Sequence, residues 1–180
     1  MSGSSAIVLE TILKRRSVRS FTGQTPDHSM LMTLLKAAMA APSARNRQPW
    51  AFLVITERST LDSLAEGLPY TKMLYTAGAA IVVCGDSTVE LQEGATDLWY
   101  QDAAAASQNI LLQAYAMGLG AVWSALFPYE DRSTHVRNII GLPDHISPFS
   151  IIPLGYPAGE DLPKDKFLSL IHISEPTRPY

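Results

Sequence analysis

Residues 97–117 constrain the fold of this 180-residue chain more than any other segment. The segment contains neither proline nor glycine, is rich in alanine and is followed by Gly118, so the sequence predicts one long helix that ends there. Apolar side chains extend around most of its circumference, from Leu98 to Tyr115. Because a helix that is apolar on all sides is usually buried, we expect it to lie between a sheet and a second helix or subunit.

Helices and strands alternate along the rest of the chain. Apolar periodicity and capping residues predict further helices over residues 5–16, 27–41, 59–66 and 129–140, and strands over residues 50–56, 79–85, 120–126 and 149–156. The run 79–85 is continuously apolar, which is typical of a strand buried on both faces. The pattern contains neither an internal repeat nor a linker, so we expect residues 1–167 to form one layered α+β or α/β domain.

The end of the chain differs in character from this domain. Residues 168–180, which include His172 and Arg178, show no clear periodicity. Their sequence resembles the translated sequencing-adapter read-through found at the ends of some gene assemblies. We therefore interpret them as an atypical tail, an artefact of the gene sequence, and assign them no function.

Composition and charge argue against several classes of protein. The formal net charge of −3 disfavours a binder of nucleic acid or of an anionic membrane, because both need a large basic surface. The single cysteine, Cys84, excludes an internal disulfide and a cysteine-rich metal site, and its apolar surroundings indicate a buried side chain. No apolar run approaches the ~20 residues of a membrane span, and the first residues do not resemble a signal peptide. We expect a cytoplasmic protein that binds no nucleic acid, membrane or metal.

The first candidate binding segment follows the first predicted helix. Arg15, Arg16, Ser17 and Arg19 place three guanidinium groups and a hydroxyl close together in the sequence. Guanidinium groups hold phosphate monoesters through charge-assisted hydrogen bonds, so this segment favours a phosphate site. The alternative is that the cations only offset the macrodipole at the end of the helix.

The second candidate segment is the polar loop between Pro42 and Pro49. The side chains of Ser43, Asn46 and Gln48 can both donate and accept hydrogen bonds. That mixture suits the alternating carbonyls and nitrogens along the edge of an isoalloxazine ring, and the two prolines restrict the freedom of the loop. The alternative is an ordinary helix–strand connection that faces water. Together, the two segments indicate a phosphorylated cofactor with a flat polar heterocycle.

Two further motifs carry weaker signals. Lys164 and Lys166 are two residues apart in an extended segment and could close over a phosphate, although a solvated charged loop is the simpler interpretation. Gly118 and Gly120 do not form a dinucleotide-binding motif, because Trp123 replaces the third glycine and the glycines follow a helix instead of a strand. We expect the two glycines to end the long helix and to turn the chain into the next strand.

The motifs and their order resemble those of the FMN-dependent nitroreductase family, which includes flavin reductase-like proteins. The resemblance spans residues 7–166 and comprises the sequences RRSVRSF, APSARNRQPW, DAAAASQNILLQAYAMGLGAVW, IIPLGYPA and PKDK. It implies an α+β nitroreductase-like fold, in which helices pack on a central, mainly antiparallel sheet. It also implies an obligate homodimer with two FMN sites at the subunit interface.

The same resemblance implies roles for individual residues. The residues expected to hold the FMN phosphate and ribityl chain are Arg15, Ser17 and Arg19, with the Arg16 backbone nearby and Lys164 and Lys166 at the phosphate. Those expected to border the isoalloxazine ring are Pro42, Ser43, Ala44, Asn46 and Gln48, normally of the partner subunit, together with Trp123 and Ser124. We expect Arg19 and Gln48 to stabilise the reduced flavin, and we assign no side chain as a catalytic acid or base.

The activity implied by the resemblance is that of an NAD(P)H oxidoreductase. Hydride would pass from NADH or NADPH to flavin N5, and electrons would then pass, in a ping-pong sequence, to a nitroaromatic, quinone or similar small-molecule acceptor. Two alternatives remain: other flavin chemistry, such as dehalogenation, azoline oxidation or flavin destruction, and flavin binding without turnover. Residues 67–75, which include Tyr70 and Tyr75, are the candidate lid of the site.

Overall fold

Five strands form one antiparallel sheet at the centre of the molecule. The computed structural model describes residues 3–89, 98–159 and 162. Within them the strands are β1 (Trp50–Ile55), β2 (Ala79–Asp86), β3 (Gly120–Ala121), β4 (Ser124–Ala125) and β5 (Ile146–Gly155). Their order is β1-β2-β5-β3, with β4 also paired to β5, and every pairing is antiparallel. This arrangement confirms the predicted α+β class with an antiparallel sheet.

Five helices accompany the sheet in the described part of the chain. They are α1 (Gly3–Lys14), α2 (His28–Met39), α3 (Arg58–Gly67), α4 (Trp99–Ala116) and α5 (Glu130–Ile140). Asp27 caps α2, because its Oδ1 accepts a hydrogen bond of 2.8 Å from the backbone N–H of Met30. Gly118 follows α4 with a φ of 76°, as expected for the glycine that ends a helix. None of the described helices is both long enough and apolar enough to cross a membrane.

The helices cover both faces of the sheet, and β2 contributes side chains to both cores. Ile81 and Val83 face a core formed with α2 and α4, which includes Leu34 and Ile110. On the opposite face, β2 packs with α3 and α5 in a second core. The side chains that share this second core are Val82, Cys84, Leu61, Leu64 and Val136. The alternation of side chains along β2 explains why its sequence is continuously apolar.

The sequence prediction of one strand over residues 120–126 was wrong, because the strand is divided into β3 and β4. The pairing register of the two pieces with β5 is continuous and places Val122 opposite Pro153. Val122 N–H donates to the Pro153 carbonyl at 3.2 Å. Proline has no N–H, so it cannot return the second hydrogen bond of the pair. The ladder is therefore interrupted at one position without a change of register.

The basic segment after α1 runs along the edge of the sheet. Val18 N–H donates to the Ala121 carbonyl at 3.1 Å, and Thr22 N–H donates to the Tyr156 carbonyl at 3.0 Å. Val18 is buried, whereas Ser17 and Arg19 on either side of it are exposed. The extended backbone of residues 15–22 thus places the predicted phosphate-binding residues beside β3.

Candidate functional site

Arg16 and Arg19 lie in two different cavities, although the sequence groups them in one cluster. The Arg16 guanidinium carbon is 5.8 Å from the centre of the Tyr115 ring on α4. Arg16 and Tyr115 line a cavity of about 130 Å³ together with Gly118 and Pro157. Because side chains alternate along an extended chain, Arg16 and Val18 both lie toward α4. Arg15, Ser17 and Arg19 therefore belong to the other side of the segment.

Arg19 lines a second cavity together with two other predicted site residues, Trp123 and Ser124. This cavity has a volume of about 200 Å³, and Tyr70 and Arg132 are also among its lining residues. The Trp123 ring packs edge-on against Phe149, with 5.5 Å between ring centres. The structure thus brings a cation, a hydroxyl and an aromatic wall together, although more than 100 residues separate Arg19 from Trp123 in the sequence.

Arg132 was not predicted as a site residue. Its guanidinium carbon lies 3.8 Å from the centre of the Tyr129 ring, and its Nη1 donates to the Ala125 carbonyl at 3.1 Å. Stacking on an aromatic ring and a hydrogen bond together hold the guanidinium at the edge of the cavity. The three-residue spacing of Tyr129 and Arg132 at the start of α5 is the sequence signal that could have indicated this pair.

The polar loop between Pro42 and Pro49 has a strained backbone. Arg45, Asn46 and Gln48 have positive φ values of 50°, 52° and 53°. Asparagine tolerates this left-handed conformation better than arginine or glutamine does. Three internal hydrogen bonds hold the turn. Ser43 Oγ accepts from Gln48 N–H at 2.9 Å, the Ser43 carbonyl accepts from Asn46 N–H at 2.9 Å, and the Ala44 carbonyl accepts from Arg47 N–H at 3.1 Å. Ser43 therefore has an internal structural role in addition to its predicted contact with a ligand.

Asp102, which was not predicted as a site residue, joins this loop to α4. The backbone N–H of Ala44 donates to both carboxylate oxygens, at 3.1 Å to Oδ1 and 3.3 Å to Oδ2. The residue is buried, with 7% of its surface exposed. Burial raises the pKa of the Asp102 carboxyl, and the hydrogen bond from Ala44 acts in the opposite direction. A lone aspartate in the first turn of an otherwise uncharged helix is the sequence signal for this contact.

Within one chain, the predicted site residues do not all meet. Neither the cavity of Arg16 nor that of Arg19 is lined by Ser43, Asn46 or Gln48. Lys164 and Lys166, and the tail over residues 168–180, lie outside the residues that the structure describes. One chain therefore presents the predicted site residues in separate places: the Arg19 cavity and the polar loop.

The chain matches known proteins over most of its length. The model of the nitroreductase family matches residues 12–69 and 61–156. A protein of Methanothermobacter thermautotrophicus, named "Putative NADH dehydrogenase/NAD(P)H nitroreductase", is 44% identical over 160 residues, which cover 89% of this chain and 82% of that protein. The crystal structure of a protein with the same name from Parabacteroides distasonis is 47% identical, with a TM-score of 0.86 over 93% of this chain and 98% of the other.

A third match extends the similarity to a more distant protein. The structure of an FMN-dependent nitroreductase from Clostridium difficile R20291 is 26% identical, with a TM-score of 0.83 over 93% of this chain and 99% of the other. The family match, the sequence identity and the shared fold agree with one another, and they confirm the resemblance carried by the motifs. The chain therefore belongs to the nitroreductase family.

Proposed function

We propose that this protein is an FMN-dependent NAD(P)H oxidoreductase that passes electrons from NADH or NADPH to a small acceptor such as a nitroaromatic or a quinone. The observation that carries the proposal is the cavity in which Arg19, Trp123 and Ser124 meet, in a chain of the nitroreductase family. The names of its relatives support the choice of FMN and of a nicotinamide donor.

The residues of the basic segment fit the phosphate end of FMN. Ser17 and Arg19 are exposed and Arg15 is half-buried, so their polar groups are available to a ligand. We infer that Arg15 and Ser17 hold the phosphate through charge-assisted hydrogen bonds. The extended backbone, which is fixed to β3 through Val18, reduces the entropy lost when these side chains become ordered.

The Arg19 cavity fits the flat ring of the cofactor. Trp123 offers an apolar wall, Ser124 a hydroxyl, and Arg19 a positive charge that would stabilise negative charge on the ring. Bound FMN supplies the hydride chemistry in such an enzyme, while the protein orients the reactants and limits the access of water. We assign no side chain as a catalytic acid or base.

We further propose that the protein is a homodimer and that each polar loop borders the flavin ring held by the other subunit. This arrangement would explain why the loop and the Arg19 cavity share no lining residue within one chain. A second subunit would also cover α1, whose apolar side chains Ile7 and Val8 are 65% and 60% exposed. The two residues line a groove of about 360 Å³ between α1, α2 and α4. The cytoplasmic location remains a prediction from the sequence.

Visible absorption spectroscopy of the purified protein tests this function. The protein would be supplied with FMN, freed of unbound flavin and titrated anaerobically with NADH and then with NADPH. We expect a bound flavin spectrum that bleaches with one or both nucleotides and returns when a quinone or nitroaromatic is added. Bound flavin that neither nucleotide reduces would contradict the oxidoreductase and favour a flavin-binding role. An absence of bound flavin would contradict the cofactor assignment itself.

Replacement of Arg15 tests the phosphate site separately. Loss of a charge-assisted bond costs about 1.5–3 kcal/mol, so Arg15→Ala should weaken FMN binding by roughly tenfold to a hundredfold. Riboflavin lacks the phosphate, and its affinity should change little. Fluorescence titration with both flavins measures the two effects. Lys36→Ala is the matched control, because it removes an exposed cation from α2. Equal losses for both flavins, or none for either, would refute the phosphate assignment.

A further inference from the structure

We infer that Asp102 is a positioning residue of the flavin site, which acts by anchoring the polar loop between Pro42 and Pro49 to α4. The inference rests on the proposed function, because it assumes that this loop borders the flavin ring. Asp102 is not expected to touch the cofactor. It would act through the backbone of Ala44 and thereby fix where the side chains of Ser43, Asn46 and Gln48 are placed.

The contact between Asp102 and Ala44 joins a polar loop to a rigid part of the core. Asp102 lies in the first turn of α4, where its own N–H donates to the Leu98 carbonyl at 3.1 Å. The helix continues through Ala106 and Ile110, which are fully buried against the sheet and α2. The carboxylate is therefore carried by a helix that is packed into the core, and both of its oxygens lie within hydrogen-bonding distance of one loop N–H.

The strained backbone of the loop is the reason why a contact with α4 would matter. Three of its residues, Arg45, Asn46 and Gln48, have positive φ values, which cost free energy at each position. The bond from Gln48 N–H to Ser43 Oγ closes the turn internally but leaves its orientation relative to the core unspecified. The bonds from Ala44 N–H to Asp102 link the beginning of the turn to α4. A strained turn with an external anchor has its polar side chains pre-organised for a ligand.

The choice of an ionisable residue also argues against a purely stabilising role. Burial raises the pKa of Asp102, whereas the hydrogen bond from the Ala44 N–H lowers it. The two ion pairs in the described part of the chain, Lys14 with Glu10 and Arg58 with Asp62, do not involve this carboxylate. Burial of an unpaired charge opposes folding, so a neutral side chain would serve stability better. Residues that oppose folding in this way are typical of functional sites.

Two substitutions at this position, measured with two flavins, test the inference. Asp102→Ala removes both acceptors and should weaken FMN binding about fivefold to tenfold, which is the effect of one lost hydrogen bond. Riboflavin binding should fall by the same factor, because the loop is expected to contact the ring and not the phosphate. Asp102→Asn keeps one acceptor oxygen and should bind both flavins with intermediate affinity. Its thermal unfolding midpoint should equal or exceed that of the wild type.

Ser107→Ala provides the matched control on the same helix. Ser107 is fully buried and contacts the Ala103 carbonyl and Ser150, but it does not contact the loop. The control should lower the unfolding midpoint and leave both flavin affinities unchanged. Wild-type affinity in Asp102→Ala, or affinity losses that follow the unfolding midpoint across all three variants, would overturn the inference. Failure of the wild-type protein to bind FMN would instead contradict the proposed function, so the two failures are distinguishable.

Discussion

At the scale of single residues, the direction of each side chain decides its role more than its chemical type does. Arg16 and Arg19 are both arginines on one extended segment, yet Arg16 packs over Tyr115 and Arg19 lines the cavity of Trp123. Their separation is odd, so the alternation of an extended chain sends them to opposite sides. The sequence showed that the cations were close together, but it could not show that they serve two different cavities.

The ionisation of Asp102 should affect stability in a direction that pH measurements can check. Its pKa is raised above the ordinary value of 3.8 by burial. The folded protein therefore binds this proton more tightly than the unfolded chain does. The resulting stabilisation is present below the unfolded pKa and is lost as the pH rises through the raised value. We therefore expect the thermal unfolding midpoint of Asp102→Asn to rise relative to that of the wild type as the pH increases from about 4 to about 7. A constant difference over this range would contradict the raised pKa.

Cys84 should be chemically inert in the folded protein. It is fully buried in β2, and burial raises the pKa of its thiol to about 12. The thiolate is the reactive form, and its population near neutral pH is therefore very small. We expect no reaction with a thiol reagent such as DTNB under native conditions, and one equivalent of reaction in denaturant. Fast labelling of the native protein would contradict the burial of this residue.

At the scale of the elements, the periodicity and capping signals predicted the helices and the long strands. The 97–117 prediction corresponds to α4, which spans Trp99–Ala116, and Gly118 ends it as expected. The predicted burial of this helix against a sheet and a second helix is confirmed by its packing on α2 and the sheet. The prediction was less accurate for residues 120–126. Their continuity depends on Pro153, which is distant in the sequence and lacks the N–H needed for pairing.

The glycine after α4 offers a test of how this element ends. Gly118 has a φ of 76°, and an added Cβ would meet no atom within 4 Å, so its replacement should cost only backbone strain. We expect Gly118→Ala to lower the free energy of unfolding by about 1 kcal/mol, measured by urea denaturation. Gly159→Ala is the control, because Gly159 also has open space but no positive φ. Equal effects at both glycines would show that left-handed geometry is not the cause.

At the scale of the whole molecule, α1 leaves apolar side chains exposed in a single chain. The side of α1 that lines the groove between α1, α2 and α4 presents Ile7 and Val8, with at least 60% of each residue exposed. An apolar helix face of this kind beside a groove is typical of an interface. The proposed homodimer would cover this face and would bring the polar loop of one subunit to the flavin of the other. Oligomerisation and cofactor binding should therefore depend on each other.

A charge introduced into this face should separate the subunits. We expect Val8→Glu to convert a dimer into a monomer in sedimentation velocity, because a carboxylate would be desolvated in the apolar groove. FMN affinity should fall together with dimerisation. The control is Ile139→Glu, which places the same charge on α5, where Ile139 is 39% exposed. A dimer that survives Val8→Glu with full FMN affinity would place the interface elsewhere.

The sequence by itself determined the class of fold, the family and the kind of cofactor to expect. Apolar periodicity, caps and the two polar segments are local patterns, which involve residues close together in the sequence and can therefore be identified without the structure. Only the tertiary structure decided which groups meet. The bond from Ala44 to Asp102 crosses 58 positions of the sequence, and the cavity of Arg19 and Trp123 spans a greater distance. Such contacts arise when α4 and β5 pack against the rest of the core, so the sequence around one residue does not indicate which distant residue it will contact.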